Sequence, residues 1–456
     1  MLALLFLAAA CSSAPTDSQP GGTSSPVNSA DAGGLSPNGQ TSSTGTAGTA
    51  VDSPPAEPLV LIDRIAYESS DGSVYTVNRD GTARIRVSQD PGSFEAALFP
   101  PTYIWPTWSH DSADLLFTAL TADIYGIPTT SLLRAHAAGD SAPVLLHLDI
   151  QGATGITTGV PHYSSWRPDD EHILLITDAV DVLGTFMVDA DDGSIGPGVS
   201  NQAPVYLDWS HDSRYLLVHV AETLSLHEFR ADGTRPSINR IGSGSVSYRA
   251  PDFSPVANEY LYVDFVDDVR TLYLGSVGAE GPVPLMDTAF SSAFRWSPDG
   301  DRFALAQAER SSLYESVQVM DKAGAPVTEA VTGEFLAFWW SPDGQKLLTE
   351  SLEGSDGDHV RLEVLDVATG QVSDLGSFIP SLHTSVLIDF FDQYDTTHSL
   401  WSPDSRHVVF SGLLVGPGPQ RPGFDPDGSN VWVLDTAGEE PPFWLGAGAF
   451  ATWSPL

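Results

Sequence analysis

Three charged residues occupy the same point of a repeated motif in this sequence of 456 residues. Asp208, Asp252 and Arg295 each directly precede an aromatic residue that is followed by Ser, with spacings of 44 and 43 residues. Because equal positions of neighbouring repeats come to lie side by side, we expect these side chains to meet in a central channel. Buried charges are normally paired, so one interpretation is a salt bridge between repeats. The other is a polar cluster that binds a small ligand.

Local motifs for catalysis or metal binding are not found. The sequence has 12 histidines but neither a Gly-x-Ser-x-Gly nor a His-Glu-x-x-His pattern. Acidic segments at 189–192 and 425–430 offer the alternating oxygen ligands that Ca²⁺ requires, but Asp and Gly are also the ordinary residues of turns. We therefore expect no catalytic residue, no metal and no cofactor. Active sites can also be assembled from dispersed residues without a local motif, however, and residues such as Asp208, Asp252 and His398 leave an enzyme open.

The motif around these charged residues organises most of the chain. It consists of an aromatic residue, usually Ser, a turn rich in Pro and Asp, and an apolar strand. A period of 43 or 44 residues separates its middle copies, which is typical of stacked supersecondary units. A second hairpin signal in each unit predicts four antiparallel strands, and a radial arrangement of such sheets hides their edges. The eight copies start at Trp108, Trp166, Trp209, Phe253, Trp296, Trp340, Trp401 and Trp453.

These repeats predict an all-β chain that forms an eight-bladed β-propeller, with seven blades as the alternative if one irregular unit is not a blade. The first unit, around Tyr67, lacks an opening strand, and the last, at Trp453, has only an opening strand. We therefore expect the C-terminal strand to pair with the N-terminal strands and close the ring.

The motif as it stands at 296–300 and 340–344, Trp-Ser-Pro-Asp-Gly, resembles the TolB-like (PD40) repeat of bacterial envelope propellers. The resemblance covers residues 59–456 and implies the propeller fold, but it does not imply an activity. Related peptidases add a hydrolase domain, of which this sequence has no sign. The resemblance therefore leaves both a binding protein and an enzyme open.

The N-terminal part of the sequence has a different character. The apolar stretch 2–10 ends in small residues before Cys11, the only cysteine, and resembles the lipobox of bacterial lipoproteins. The resemblance implies that residues 1–10 form a signal peptide and that Cys11 is lipidated. Residues 11–58 are rich in Ser, Gly, Pro and Thr, which predicts a disordered tether ahead of the propeller at 59–456. We expect an envelope protein on the periplasmic side of the outer membrane or on the cell surface.

The net charge of −39 narrows the class of partner. Such a charge opposes binding to nucleic acid or to anionic lipid headgroups, so we expect membrane contact only through the lipid anchor. An envelope protein or polymer is the expected partner, and the protein is expected to be a monomer.

Long insertions predict where that partner binds. In a four-stranded meander they fall on the face opposite the tight turns, and their aromatic residues beside charges indicate a binding surface. The alternative is that these aromatic residues pack the long loops down. The predicted function is thus a membrane-anchored scaffold that binds through its long-loop face; the alternative is a hydrolase or lyase acting on peptide or glycan in the propeller funnel. The candidate binding residues are Phe94, Tyr103, Trp105, His383, Phe390, Phe391, Asp392, Tyr394, Asp395, Arg421 and Phe424.

Overall fold

The computed structural model describes residues 62–89, 97–123, 125–150, 160–179, 182–221, 223–242, 248–310, 313–353, 359–416, 423–424 and 428–456. These residues form 29 β-strands and two short α-helices, which confirms the predicted all-β class. No helix within these ranges is long and apolar enough to cross a membrane. The predicted signal peptide, Cys11 and the tether lie outside the described residues.

The strands form antiparallel sheets in which neighbours in sequence pair with each other. The first three strands are β1 (Arg64–Ser69), β2 (Val74–Asn78) and β3 (Ile85–Arg86). Four separate sheets of four strands follow. The first two contain β4 (Thr102–Trp108), β5 (Asp114–Ala122), β6 (Pro128–His136) and β7 (Val144–Ile150), and then β8 (Val160–Trp166), β9 (His172–Ala179), β10 (Val182–Asp189) and β11 (Ile195–Ser200). The other two contain β12 (Val205–Trp209), β13 (Tyr215–Val220), β14 (Thr223–Glu228) and β15 (Ser237–Gly242), and then β16 (Asp252–Phe253), β17 (Glu259–Val266), β18 (Val269–Ser276) and β19 (Val283–Asp287).

The remaining strands join β1–β3 in one continuous array of 13 strands. They are β20 (Ser291–Trp296), β21 (Arg302–Ala308), β22 (Tyr314–Asp321), β23 (Val331–Trp340), β24 (Lys346–Glu353), β25 (His359–Asp366), β26 (Val372–Pro380), β27 (His407–Leu414), β28 (Asn430–Asp435) and β29 (Phe443–Trp453). The array is continuous because β23, β26 and β29 are long enough to pair with one neighbour near their start and with another near their end.

The C-terminal strand pairs with the N-terminal strand, as the sequence predicted. In β29, Trp453 lies opposite Ile65 and Ala451 lies opposite Tyr67 of β1. The two ends of the described chain are therefore held in neighbouring strands. At its other end β29 pairs with β28. Four-stranded antiparallel sheets of this kind, joined in sequence order, are the architecture of a β-propeller.

The repeated motif forms the turn between the first two strands of a sheet. Ser341 Oγ donates to Asp343 Oδ1 at 2.6 Å and accepts the backbone N–H of Lys346 at 2.9 Å. Gly344 follows with φ of 64°, a conformation that glycine adopts without steric cost. The Ser of the motif makes the same two contacts in four other turns, at Ser109, Ser210, Ser297 and Ser402.

The motif tryptophans connect neighbouring sheets. Their indole Nε1 atoms donate to the backbone carbonyl of the residue that precedes the motif aromatic in the previous sheet. This is seen for Trp108 to Thr452, Trp166 to Thr107, Trp296 to Asp252, Trp340 to Arg295 and Trp401 to Trp339. First strands are also more buried than fourth strands: β12 is largely buried, whereas all residues of the fourth strand β15 are exposed or partly exposed. The motif residues therefore lie toward the centre.

Two short helices interrupt the strands between β26 and β27. They are α1 (Leu382–Asp389) and α2 (Phe391–Tyr394). Ser381 caps α1, because its side chain accepts the backbone N–H of Thr384 at 3.1 Å. Leu387 and Ile388 are buried, so the segment packs into the protein.

Candidate functional site

A cavity of about 320 Å³ lies among the first strands of the sheets. We call it the central cavity. Its volume falls at the lower end of the range of ligand pockets, about 300–1,000 Å³. The aromatic residues of the motif form its wall: Trp166, Trp209, Phe253, Trp296, Trp340 and Trp401. The turn residues two places further on lie around it, at least partly exposed: His110, Pro168, His211, Pro255, Pro298 and Pro342.

Charged residues converge on this cavity. Arg295 Nη1 lies 2.8 Å from Asp252 Oδ1, and Arg295 Nε lies 3.0 Å from Asp395 Oδ2. Asp208 also lines the cavity, and its Oδ2 accepts the backbone N–H of Phe253. In the described chain no cationic nitrogen lies within ion-pair distance of the Asp208 carboxylate. The structure thus brings together the three charged residues singled out in the sequence, and adds a third carboxylate from the α2 segment.

Burial dominates the electrostatics of this group. It raises the pKa of Asp208 to about 6, although Arg295 acts in the opposite direction. Burial likewise raises the pKa of Asp252 to about 8, against the effect of Arg295 and reinforced by Asp208. Burial alone would lower the pKa of Arg295, but the surrounding carboxylates raise it above its ordinary value. Arg295 therefore pairs with Asp252 and Asp395 and acts on Asp208 from beyond ion-pair distance.

Residues 391–396, which comprise α2 and the two residues after it and which we call the α2 segment, contribute to the lining of the cavity. The Gln393 side chain accepts the backbone N–H of Leu207 at 2.7 Å and donates to its carbonyl at 2.9 Å, which completes the hydrogen bonds of a β12 residue. Tyr163 donates to the Gln393 carbonyl at 3.1 Å. Phe391 packs at 5.0 Å from Phe338, measured between ring centroids. The segment thus acts as a plug, held by side chains and backbone of several sheets.

A contact between His383 of α1 and Glu68 holds the chain that leads into this plug. His383 Nδ1 lies 2.6 Å from Glu68 Oε2, and the other oxygen of Glu68 accepts the backbone N–H of Trp105 at 2.5 Å. Trp105 stacks on His383 with centroids 5.0 Å apart and has φ of 57°, which is unusual for an aromatic residue. Glu68 thereby joins β1, the start of β4 and α1.

This arrangement corrects the predicted exposed binding surface. Phe391, Asp392, Tyr394 and Tyr103 are buried, so they are not presented on a face of the protein. The other described candidates, Trp105, His383, Phe390, Asp395 and Phe424, are partly buried. The physical reason is that an insertion so rich in aromatic residues lowers its free energy by filling the end of the channel. Phe94 and Arg421 lie outside the described residues.

Some of the expected long-loop surface is nevertheless exposed. Tyr125 is 81% exposed in the loop between β5 and β6, and Leu382 is 69% exposed at the start of α1. Phe99, before β4, is 50% exposed. These apolar side chains are the part of the predicted partner-binding face that a partner could reach.

Several cavity residues were not singled out as site residues in the sequence. Ser165, Trp339 and Leu400 occupy the same motif column as Asp208 and Arg295, and all of them line the cavity. Their position directly before a motif aromatic was therefore the sequence signal that could have identified them as cavity residues. Gln393 and Thr396 line it from the α2 segment, where no periodic pattern marks them. His398 is fully buried beside the cavity, where its Nε2 lies 3.1 Å from Thr107 Oγ1, and burial lowers its pKa to about 3.

One group among the described residues has the geometry to hold a metal ion. Ligand atoms of Asp169, Glu171 and His172 lie within 4.8 Å of one another in an exposed turn. Arg167 Nε lies 3.3 Å from Asp169 Oδ2, and this neighbouring positive charge opposes cation binding. The acidic turn at 189–192 is closed by its own hydrogen bonds, because Asp189 Oδ1 accepts the backbone N–H groups of Asp191 and Asp192.

Comparison with known proteins bears on the fold. No family model and no curated protein matches this chain. Among solved structures, a eukaryotic initiation factor is similar over 86% of this chain and 98% of that one, with 12% identity and a TM-score of 0.51. TolB from Acinetobacter baumannii is similar over 72% of this chain and 79% of that one, with 15% identity and a TM-score of 0.34. The β-propeller domain of Swd1 from Myceliophteria thermophila is similar over 63% and 86%, with 11% identity and a TM-score of 0.39.

At 12% identity the first likeness concerns the fold alone, and the other two are weaker still. The strand pairing described above carries the assignment: the described chain is an all-β protein whose four-stranded antiparallel sheets, joined in sequence order, have the architecture of a β-propeller.

Proposed function

We propose that this protein is an envelope-anchored β-propeller that binds its ligand in the central cavity without transforming it. The observation that carries the proposal is the cavity itself, which combines aromatic walls with a few convergent polar groups, the usual composition of a ligand pocket. Hydroxyl groups that line it are engaged with backbone carbonyls: Ser165 with Trp166, Thr396 with Gln393 and Ser399 with Trp401. They are thus committed to structure rather than activated as nucleophiles.

The proposal includes eight blades in a closed ring. The eight motif aromatics each belong to a strand or bridge at the start of a four-stranded unit, which supports this number. The pairing of β29 with β1 and the hydrogen bond from Trp108 to Thr452 support closure across the chain ends. In this scheme β29 contributes the last strand of the eighth blade and the first strand of the shared one.

The cellular setting is part of the same proposal. The lipobox-like stretch before Cys11 and the Ser/Gly/Pro-rich segment at 11–58 support a lipid anchor and a tether, on the periplasmic side of the outer membrane or on the cell surface. Incorporation of radiolabelled palmitate into the wild-type protein but not into Cys11→Ala tests the anchor. Equal labelling of both proteins would contradict it.

The binding proposal is tested by crosslinking capture from intact envelopes with variants of the full chain. Ser165→Trp fills the cavity from β8 and is expected to abolish capture of the specific partner or ligand. Tyr125→Asp and Leu382→Asp change the exposed long-loop residues and are expected to leave capture unchanged. Loss of capture only in Tyr125→Asp and Leu382→Asp would contradict the proposal and indicate that the binding site is on the long-loop face.

A second candidate function has its own observation. Asp208 and Asp252 line one cavity with pKa values of about 6 and about 8, and separated carboxyl pKa values are the usual basis for an acid and a base in one site. A hydrolase or lyase acting on peptide or glycan fits this pattern. Screening such substrates with the wild-type protein and with Asp208→Asn and Asp252→Asn tests it. Turnover that both substitutions remove would replace the binding proposal by the enzyme.

A further inference from the structure

The charges around the central cavity specify what kind of group it receives. Asp208, Asp252 and Asp395 line the cavity, and Arg295 is the one Arg or Lys among its lining residues. Arg295 is already committed to Asp252 and Asp395 through ion pairs of 2.8 and 3.0 Å. Asp208 has the backbone N–H groups of Phe253 and Trp209 as hydrogen-bond donors but no paired cation, although the residue is only 7% exposed. Arg295 acts on Asp208 only from beyond ion-pair distance, and a buried carboxylate without a paired cation is costly, so a further cation beside Asp208 would be stabilised.

The walls suit the same kind of ligand. Aromatic rings attract cations through their quadrupoles, and tryptophan does so most strongly. Five motif tryptophans and Trp339 line the cavity. The turn residues that lie around the cavity are four prolines and two histidines, and Arg295 is the one Lys or Arg among the lining residues that could repel a cation. The net charge of −39 also favours the approach of cations from solution.

Two indole donors without acceptors add an independent observation. Trp209 and Trp339 line the cavity, are 9% and 1% exposed, and have Nε1 atoms with no hydrogen-bond partner. The motif tryptophans with recorded bonds at this position donate to backbone groups of the neighbouring sheet or, for Trp453, to Asp63. Buried polar groups without partners are uncommon in native proteins and point to a missing ligand or water. Because an indole N–H donates, the partner that these two groups lack is an acceptor, such as a water or a carbonyl oxygen carried by the ligand beside its cationic group.

Resting on the proposed function, we propose that the central cavity binds a ligand through an ammonium or guanidinium group carried on an apolar stem, with Asp208 as its main counter-ion. The charged group would approach the Asp208 carboxylate and the stem would lie against the tryptophan wall. The same chemistry belongs to a free aliphatic diamine and to a lysine side chain of a protein partner, so the source is left to the experiment.

Isothermal titration of the full-length protein with matched probes tests this inference. The cationic probes are 1,6-diaminohexane and N-acetyl-lysine methylamide, and the neutral ones are 1-hexanol and N-acetyl-norleucine methylamide. We expect at least tenfold tighter binding of the cationic probe in each pair. Preference for the diamine indicates a small cationic ligand, and preference for the lysine derivative indicates a basic side chain of a partner.

Asp208→Asn removes the charge without changing the shape of the side chain, and it is expected to weaken cation binding at least tenfold. Asp301→Asn is the matched control, since Asp301 is an exposed acid in the turn after Trp296 and does not line the cavity. Asp395→Asn is the second variant, in case Asp208→Asn does not fold; a weaker effect of at least threefold is expected there.

A proton readout separates this inference from a general charge effect. Burial raises the pKa values of Asp208 and Asp252, so a cation that binds at neutral pH must displace protons from them. Titrations in phosphate and in Tris should therefore differ in apparent enthalpy for wild type, and the difference should shrink in Asp208→Asn. Equal affinity for neutral and cationic probes, or unchanged binding in Asp208→Asn, overturns the inference. If crosslinking then finds a neutral or anionic ligand in the cavity, only the cation preference is wrong and the binding proposal is retained. Turnover of a substrate would contradict both the binding proposal and the cation preference.

Discussion

Replacing Arg295 by methionine separates the electrostatic role of the central cluster from its packing. Methionine keeps an unbranched apolar stem, but it removes ion pairs of 2.8 Å to Asp252 and 3.0 Å to Asp395. The Arg295 side chain is only 9% exposed, so solvent cannot replace these contacts. Removal of one partner from a buried ion pair costs about 3–5 kcal/mol, and we expect a loss of this size in the free energy of unfolding at pH 8.

The loss should depend on pH in a defined direction. Without Arg295 the carboxyl pKa values in the folded state rise further above their unfolded values. A group with a raised folded-state pKa supplies stability below its unfolded pKa and loses it as pH rises toward the folded pKa. The defect of Arg295→Met should therefore be smaller at pH 5, where the carboxyl groups are protonated, than at pH 8. Asp252→Asn in the same chain should recover part of it.

Urea unfolding followed by tryptophan fluorescence at both pH values measures these effects. Arg79→Met is the control, because Arg79 forms an ion pair with Asp404 in which both side chains are more than 40% exposed. Such a pair contributes at most about 1 kcal/mol. A loss below about 1 kcal/mol for Arg295→Met at pH 8, or an equal loss at both pH values, would refute the reasoning.

Three further predictions concern two sets of residues that line the cavity and one buried acid elsewhere. Trp340→Phe should lower the free energy of unfolding by about 1–2 kcal/mol more than Trp209→Phe. The two residues are almost equally buried, but the indole of Trp340 donates to the Arg295 carbonyl at 3.0 Å, whereas that of Trp209 has no partner. Equal losses in urea unfolding would contradict the role of the indole hydrogen bonds. Gln393→Ala should cost about 1–3 kcal/mol for each Leu207 backbone group left unsatisfied, and unchanged amide exchange at Leu207 would count against the plug. Glu350 is fully buried with both carboxylate oxygens unpartnered, and burial raises its pKa. Because its folded-state pKa lies above the unfolded one, its contribution to stability is lost as pH rises between these two values, by about 1.4 kcal/mol per pH unit. The free energy of unfolding of Glu350→Gln should therefore increase relative to that of the wild type as pH rises. Glu329→Gln, which changes an exposed residue, should show no such trend.

Much of the fold followed from local sequence signals. The Ser, Asp and Gly of the motif each have a local structural role in the turn, so a sequence pattern could reveal it. The pairing of Trp453 with the strand of Tyr67 was predictable because both ends lacked complementary strands. The convergence of Asp208, Asp252 and Arg295 was predictable for a similar reason, since equal positions of repeats acquire equal radial positions.

The course of the segment between β26 and β27 was not predictable in the same way. Aromatic residues beside acids describe an exposed recognition loop and a buried plug equally well. What decides between them is long-range fit: Phe391 packs against Phe338, and the Gln393 amide pairs with both backbone groups of Leu207. No spacing rule within the segment encodes those partners. The sequence alternative that the aromatic residues pack the loop down agrees with this arrangement.

The sharing of β23, β26 and β29 between two neighbours has a consequence for how the molecule opens. Backbone hydrogen bonds run without interruption from β20 through β29 to β3, whereas β4–β7, β8–β11, β12–β15 and β16–β19 are separate ladders. The protected amides of the 13-stranded array should exchange with solvent together, at rates set by one concerted opening. Each separate sheet can open locally and exchange its amides independently. One side of the molecule would then serve as a stiff arc against which the other side fluctuates.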